Sequence, residues 1–244
     1  MCTVSFIARQ RGYLLAMNRD EQLSRVAGLP PKLKIVNGRK LFSSSEPGGG
    51  TWIAVNDAGV SFALINWYSV PARVRQNPVS RGGNVNSGGA QTAPDAASEI
   101  LAGRPMKRTH PFRLIGVFPA TKTVVEWSWD LRRLVRKNHP WRTQQFISSG
   151  FDEPKAQLVR SQIFRRALRL KSAGTLDWLR RRHRSHAPEA GPFSTCMHRS
   201  DAATVSYTEV AVSIGSIALR YHSGTPCNKC HETAQAWQPA AFFS

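Results

Sequence analysis

The chain has 244 residues, 41% of them hydrophobic, with 34 Lys and Arg against 15 Asp and Glu and a formal charge of +19. That length suits one layered domain spanning 1–244. The composition excludes a collagen-like or disordered chain, and no apolar run approaches the roughly 18 residues of a membrane span. Arg9, Arg11, Arg19 and Asp20 interrupt any apolar leader, so a cytoplasmic location is expected.

Residues 2–8 and 13–17 are β-branched and apolar runs on either side of Arg9-Gln10-Arg11-Gly12, which reads as a hairpin turn. A turn centred near Gln10-Arg11 pairs residues whose numbers sum to about 21 or 22. Cys2 then lies beside Arg19 or Asp20, within Asn18-Arg19-Asp20-Glu21. Once Met1 is removed, the Cys2 thiol and a free α-amine share one residue, and an amine of pKa about 8 takes the thiol proton near neutrality. In that reading Arg19 holds the thiolate and Asp20 orients the ammonium.

Residues 51–55 and 60–65 flank Asn56-Asp57-Ala58-Gly59, a turn between two apolar runs. Their pairing sets Asn66 roughly opposite Gly49 or Gly50, where glycine permits close approach and the amide can donate to a developing oxyanion. Asn66 serves equally well as a strand cap beginning a turn. The stretch 71–89, rich in Arg, Asn, Ser and Gly, is expected as a loop over the site. A helix over 92–102 has Pro94 in its first turn and Gly103 after its end. Residues 112–118 and 123–127 form a third strand pair, extended by 134–136 and 144–148.

The segment 160–171, with Val159 just before it, carries Ile163, Phe164, Ala167, Leu168 and Leu170 near helical spacing, which predicts an amphipathic helix with a basic outer face. With 178–184 it holds much of the positive charge. Such a face binds nucleic acid or anionic surfaces electrostatically, but no aromatic RNA-binding signature or zinc finger accompanies it, so a solvated helix face is the favoured reading. Residues 186–192 read as a linker, 207–214 and 217–221 as the last hairpin, and 224–244 as an irregular tail. Strand pairs interspersed with helices fit sheets covered by helices.

Met1-Cys2-Thr3, Asn18-Arg19-Asp20-Glu21, the block Gly49-Gly50-Thr51-Trp52-Ile53-Ala54-Val55 and Ser80-Arg81-Gly82, in this order, resemble the NRDE family, also called the transport and Golgi organisation protein 2 family. That family resembles the N-terminal nucleophile hydrolases of the choloylglycine hydrolase and penicillin V acylase branch. The resemblance implies an α+β fold, a four-layer αββα sandwich of antiparallel sheets. It also implies a cysteine hydrolase or acyltransferase acting on a small-molecule amide or thioester. By motif, Cys2 matches the nucleophile, Asp20 the carboxylate near the α-amine, Arg19 its neighbouring cation and Asn66 an oxyanion donor. Ser149 stands where a second oxyanion asparagine is expected, and Asn18, Gly50 and Trp52 are expected to contact substrate. Val205 occupies a place where an arginine is expected, which bears on hydrolytic competence.

The four cysteines are Cys2, Cys196, Cys227 and Cys230, expected as reduced thiols. Cys227-Asn228-Lys229-Cys230-His231 has the spacing of a haem attachment motif, and Cys196 and His198 with Cys227 and Cys230 or His231 offer four ligands suited to zinc. Neither spacing is diagnostic, and unrelated residues are the favoured reading, so no metal or cofactor is expected. Haem is kept as the rival ligand because some members of the family that the chain resembles are linked to haem mobilisation. A non-catalytic haem-binding or haem-trafficking protein on the same fold is therefore the alternative function.

Overall fold

The computed structural model describes residues 2–228 and 232–237. The chain opens with the hairpin β1 (Cys2–Arg9) and β2 (Gly12–Gln22), in which Arg9 pairs with Gly12 and Cys2 with Arg19. Gly12 has φ +113°, and a Cβ on it would stand 1.9 Å from the Val212 carbonyl oxygen, so only glycine lets the turn lie against the neighbouring strand. Four strands follow: β3 (Leu29–Val36), β4 (Arg39–Ser45), β5 (Ile53–Asn56) and β6 (Ser61–Asn66). Two helices, α1 (Gly83–Gly88) and α2 (Pro94–Ala102), lead into β7 (Phe112–Phe118), β8 (Thr123–Trp129), β9 (Leu134–His139) and β10 (Gln144–Ser148). The last part holds α3 (Glu153–Ala167), α4 (Leu176–His183), β11 (Ala202–Ser213), β12 (Ser216–Ser223) and β13 (Glu232–Trp237).

Two antiparallel sheets result. One is a meander in chain order from β3 to β9; the other runs β10-β1-β2-β11-β12-β13 and joins the first two strands to the last three. Between them pack Val4, Phe6, Leu15, Met17, Val55, Ile65, Ile115 and Val210, all fully buried or nearly so. Leu101 of α2 and Val85 of α1 cover the outer face of the meander. Phe164 of α3 with Trp178 and Leu179 of α4 cover Ile7, Leu14 and Ala16 on the outer face of the other sheet. The result is a four-layer αββα sandwich, the fold class implied by the resemblance. Among the described residues no helix is long and apolar enough to cross a membrane.

Three expectations are corrected. Residues 144–148 do not extend the pair 112–118 and 123–127: β9 does, while β10 crosses to the other sheet beside β1, burying Phe146 between the sheets. The strand 29–36 was not anticipated, because Pro30, Pro31 and two lysines weaken the strand pattern; it survives as a sheet edge, where a proline forfeits no ladder bond. Part of the expected irregular tail is the edge strand β13, paired with β12. α3 starts at its Asp152 cap, whose carboxylate accepts from the Lys155 N–H at 3.0 Å, with Pro154 in the first turn.

Candidate active site

Side chains alternate across a strand, so the inward set Val4, Phe6, Tyr13, Leu15 and Met17 also turns Cys2 and Arg19 towards the space between the sheets. There the core gives way to a cleft of about 460 Å³, lined by Cys2, Arg19, Trp52, Asn66, Arg81 and His110 among others. Cys2 is buried, and burial pushes its thiol pKa up; the Asp20 carboxylate adds to this, while Arg19 and the Asp20 N–H pull it down. Asn66 ends β6 and donates one amide N–H to the Tyr68 hydroxyl at 2.8 Å, which leaves its second N–H for another acceptor.

The cleft wall is charged. Arg19 stacks 4.5 Å above the Trp52 ring and reaches Glu21 at 3.2 Å and Glu46 at 3.3 Å, and Arg25 contacts the same two carboxylates, each at 2.9 Å. Burial works against ionisation of Glu21, but the Gln22 N–H, Arg19 and Arg25 hold its carboxyl below the usual range. Arg81 is different: it lies in the cleft with a 3.5 Å contact to the Pro111 carbonyl and no carboxylate bonded to it among the described residues. Gly82 sets its position, since a Cβ there would stand 2.3 Å from the Thr51 N and 2.7 Å from the Gly50 Cα. The Gly49-Gly50-Thr51 and Ser80-Arg81-Gly82 blocks, distant in sequence, thus pack as one surface. Residues 78–82 of the expected loop do line the cleft, and 83–88 are helical. Burial, then Arg81 and Arg73, lower the pKa of the nearby His110.

Asp20 alternates with Arg19 and faces the helix layer, beyond the start of β1. Its carboxylate accepts from the Thr204 hydroxyl at 2.6 Å and pairs with Arg160 of α3 at 3.5 Å, with both side chains of the pair fully buried. Arg160 also donates to Thr3 Oγ1 at 2.7 Å and to the Pro192 and Phe193 carbonyls at 3.1 and 3.4 Å. The expectation that Arg160 belongs to a basic outer face is therefore overturned: the buried stripe of α3 is Ala156, Arg160, Phe164 and Ala167, and Val159 and Ile163 flank it half-buried. Val205 falls in a β-bulge, between Thr204 opposite Asp20 and Ser206 opposite Arg19. The cation beside Asp20 comes from α3 instead.

Other expected site residues fall as follows. Trp52 lines the cleft; Gly50 lies behind it, against Ser80 and Gly82. Asn18 does not face the cleft, because it shares the outward parity of Asp20. Its amide donates to the His183 and Thr195 carbonyls at 2.9 and 2.8 Å, and its oxygen meets His183 Nδ1 at 2.9 Å. Ser149 is buried outside the cleft lining, and its hydroxyl accepts from the Phe151 N–H at 3.3 Å. The residue directly opposite Cys2 on β10 is Ser148, one position earlier, and its hydroxyl has no partner among the described residues. Arg81, Arg160, His110 and His183 were missed by the sequence reading. Arg81 alone carried a signal, its place in the Ser-Arg-Gly motif.

On the helix-layer side, Cys196, His198 and Cys227 come together with His186, which the sequence reading had placed in a plain linker. Cys230 and His231, the other half of the haem motif, lie outside the described residues.

A family model described as Transport and Golgi organisation 2 matches residues 1–125. No curated protein matches the chain. Among solved structures, penicillin V acylase from Agrobacterium tumefaciens is 10% identical with a TM-score of 0.52, covering 91% of this chain and 83% of that one. A mutant conjugated bile acid hydrolase from Clostridium perfringens is 9% identical with a TM-score of 0.57, covering 96% and 92%. A second variant of the same hydrolase is 8% identical with a TM-score of 0.55, covering 100% and 99%. These likenesses concern the fold alone, the four-layer αββα sandwich.

Proposed function

The chain belongs to the Transport and Golgi organisation 2 family, and from that premise we propose that it is a hydrolase or acyltransferase cleaving an amide or thioester through Cys2 as its mature N-terminal residue. The observation that carries the reading is the position of Cys2 at the start of β1, side chain towards the cleft, with Arg19 opposite and Asn66 across the opening. After removal of Met1 the α-amine takes the thiol proton, and the sulfur attacks the substrate carbonyl carbon. The Asn66 N–H stabilises the oxyanion. The ammonium then returns its proton to the leaving amine or thiol, the C–N or C–S bond breaks, and a thioester to Cys2 remains. Water or an acceptor amine, deprotonated by the same α-amine, releases the acyl group and restores the thiol.

Asp20 suits the task of fixing that amine because its carboxylate lies at the start of β1, held from the helix layer. It can accept from the ammonium, and the negative charge it sets against the thiolate is countered by Arg19 and by the Asp20 N–H. Arg160 and Thr204 hold it in place. Arg81, the cleft cation without a bonded carboxylate among the described residues, fits an anionic group on the substrate. The solved neighbours are an acylase and a hydrolase of conjugated bile acids, in keeping with a small-molecule amide substrate.

The test is turnover of a panel of carboxylate-bearing N-acyl amides and thioesters by wild type and Cys2→Ala. The reading predicts turnover by wild type only; equal rates for the two proteins on a confirmed substrate reject it.

A further inference from the structure

On the far side of β2 from the cleft, four ligand atoms from three chain segments converge. His186 follows α4, Cys196 and His198 precede β11, and Cys227 follows β12. Their donor atoms all lie within 4.8 Å of one another: His186 Nε2 is 3.1 Å from His198 Nε2, and His198 Nε2 is 3.7 Å from Cys196 Sγ and 3.6 Å from Cys227 Sγ. A tetrahedral zinc with Zn–N near 2.05 Å and Zn–S near 2.3 Å requires separations of about 3.3 Å between two nitrogens, about 3.6 Å between nitrogen and sulfur and about 3.8 Å between two sulfurs. The nitrogen–nitrogen distance of 3.1 Å and the two nitrogen–sulfur distances of 3.7 and 3.6 Å lie close to that pattern, and the remaining pairs lie within 4.8 Å. A shared proton can satisfy one pair of these lone pairs, whereas one divalent cation satisfies all four.

We infer that His186, Cys196, His198 and Cys227 form a structural zinc site. The inference is independent of the acyl-transfer reading. Two thiols and two imidazoles are the soft and borderline donors that zinc selects, and four protein ligands close its coordination sphere. Two protons leave for solvent as the ion binds, and two thiolates balance its charge.

The backbone presents the ligands. The Cys196 N–H donates to the Ser185 carbonyl at 3.0 Å, which folds the segment after α4 back on itself and brings His186 beside His198. The bulge at Val205 leaves its carbonyl free of the β2 ladder, and it accepts from the Gly224 N–H at 2.9 Å, which fixes the turn carrying Cys227. The site also reaches Asp20: the Met197 N–H donates to Thr204 Oγ1 at 2.8 Å, and that hydroxyl donates to Asp20 at 2.6 Å. Zinc would thus staple the α4–β11 segment to the β12 turn and brace the carboxylate assigned to the α-amine.

The test is elemental analysis of the full chain purified under reducing conditions, with cobalt(II) titration of the chelator-treated protein. One zinc per chain is expected, and the cobalt form should show the strong visible bands of a tetrahedral site with thiolate-to-cobalt charge transfer. His186→Ala and Cys227→Ala should lose the stoichiometric metal, while Cys230→Ala and His231→Ala keep it. A folded wild-type chain that binds neither ion stoichiometrically overturns the inference. So does a Cys196–Cys227 disulfide in the reduced preparation, or metal retained by His186→Ala and lost by Cys230→Ala or His231→Ala.

Discussion

The two faces of β2 differ in kind although they are built from adjacent residues. On the cleft face Arg19, Arg25, Glu21 and Glu46 form a ring of ion pairs whose outer member, Arg25, has 47% of its side chain exposed. On the helix face Asn18 and Asp20 are buried and tied to His183, Thr195, Thr204 and Arg160, and the Asp20–Arg160 side chains are fully enclosed. Exposed pairs are worth about 0–1 kcal/mol because water competes for them, whereas breaking a buried pair strands a charge and costs about 3–5 kcal/mol. The strand therefore keeps adjustable charge towards ligand and rigid charge towards the fold.

The largest expected effect is on the rigid face. Arg160→Met should cost about 3–5 kcal/mol in denaturant unfolding, since it removes the buried guanidinium that pairs with Asp20 and donates to Thr3. A cost below about 1 kcal/mol would erase the contrast.

Next comes pH. His183 is enclosed between Asn18 Oδ1 and Ser5 Oγ, each 2.9 Å away; Asn18 Oδ1 can only accept, which places the proton on Nδ1 and leaves Nε2 to accept from Ser5. Burial, with Arg160 nearby, pushes its pKa down to about 3. The unfolded chain, with a histidine pKa near 6.5, takes up the proton first as pH falls, so the stability is intact above about pH 6.5 and is lost progressively on the way to pH 3. Between pH 7 and pH 5 the loss should be about 2 kcal/mol, and His183→Gln should flatten that slope. Glu126, held down to about 2 against its burial by His139 and Arg113, adds its own loss only below the ordinary carboxylate range and leaves this window clear.

On the cleft face the effects are functional. Arg81→Met should raise KM for a carboxylate-bearing substrate about tenfold, equivalent to about 1.4 kcal/mol, and leave a neutral analogue unaffected. An equal change for both substrates would remove the anion-binding role. Smallest of all, Arg25→Gln should change stability by less than about 1 kcal/mol, with any effect vanishing in high salt.

How much of this was legible in the sequence varies with the range of the interaction. The β1–β2 register follows from a two-residue turn, so the sequence narrowed the partner of Cys2 to Arg19 or Asp20, and the structure pairs it with Arg19. Which face Asp20 takes also follows from alternation, yet the sequence reading gathered nucleophile, cation and carboxylate at one strand end without separating the faces. Assigning Asn18 to substrate missed the same alternation. Ser149 came from a loose motif match, and the structure pairs Cys2 with Ser148, one position earlier; one residue of slip reverses a strand's side. Arg160 was illegible for another reason. An arginine counts as outward in any periodicity argument, and its burial becomes tolerable through a carboxylate 140 positions away together with acceptors on Thr3, Pro192 and Phe193. The ligand types Cys196, His198 and Cys227 were visible, but the fourth member of the cluster, His186, is brought in by a loop whose closure no spacing rule describes.

Whether Cys2 becomes an N-terminal nucleophile can be decided by intact mass spectrometry of the native protein before and after exposure to a turned-over acyl substrate. The expected result is a mass short of the full sequence by one methionine, and a transient acyl adduct that maps to Cys2. A protein that turns substrate over while retaining Met1, or whose adduct maps elsewhere, contradicts it.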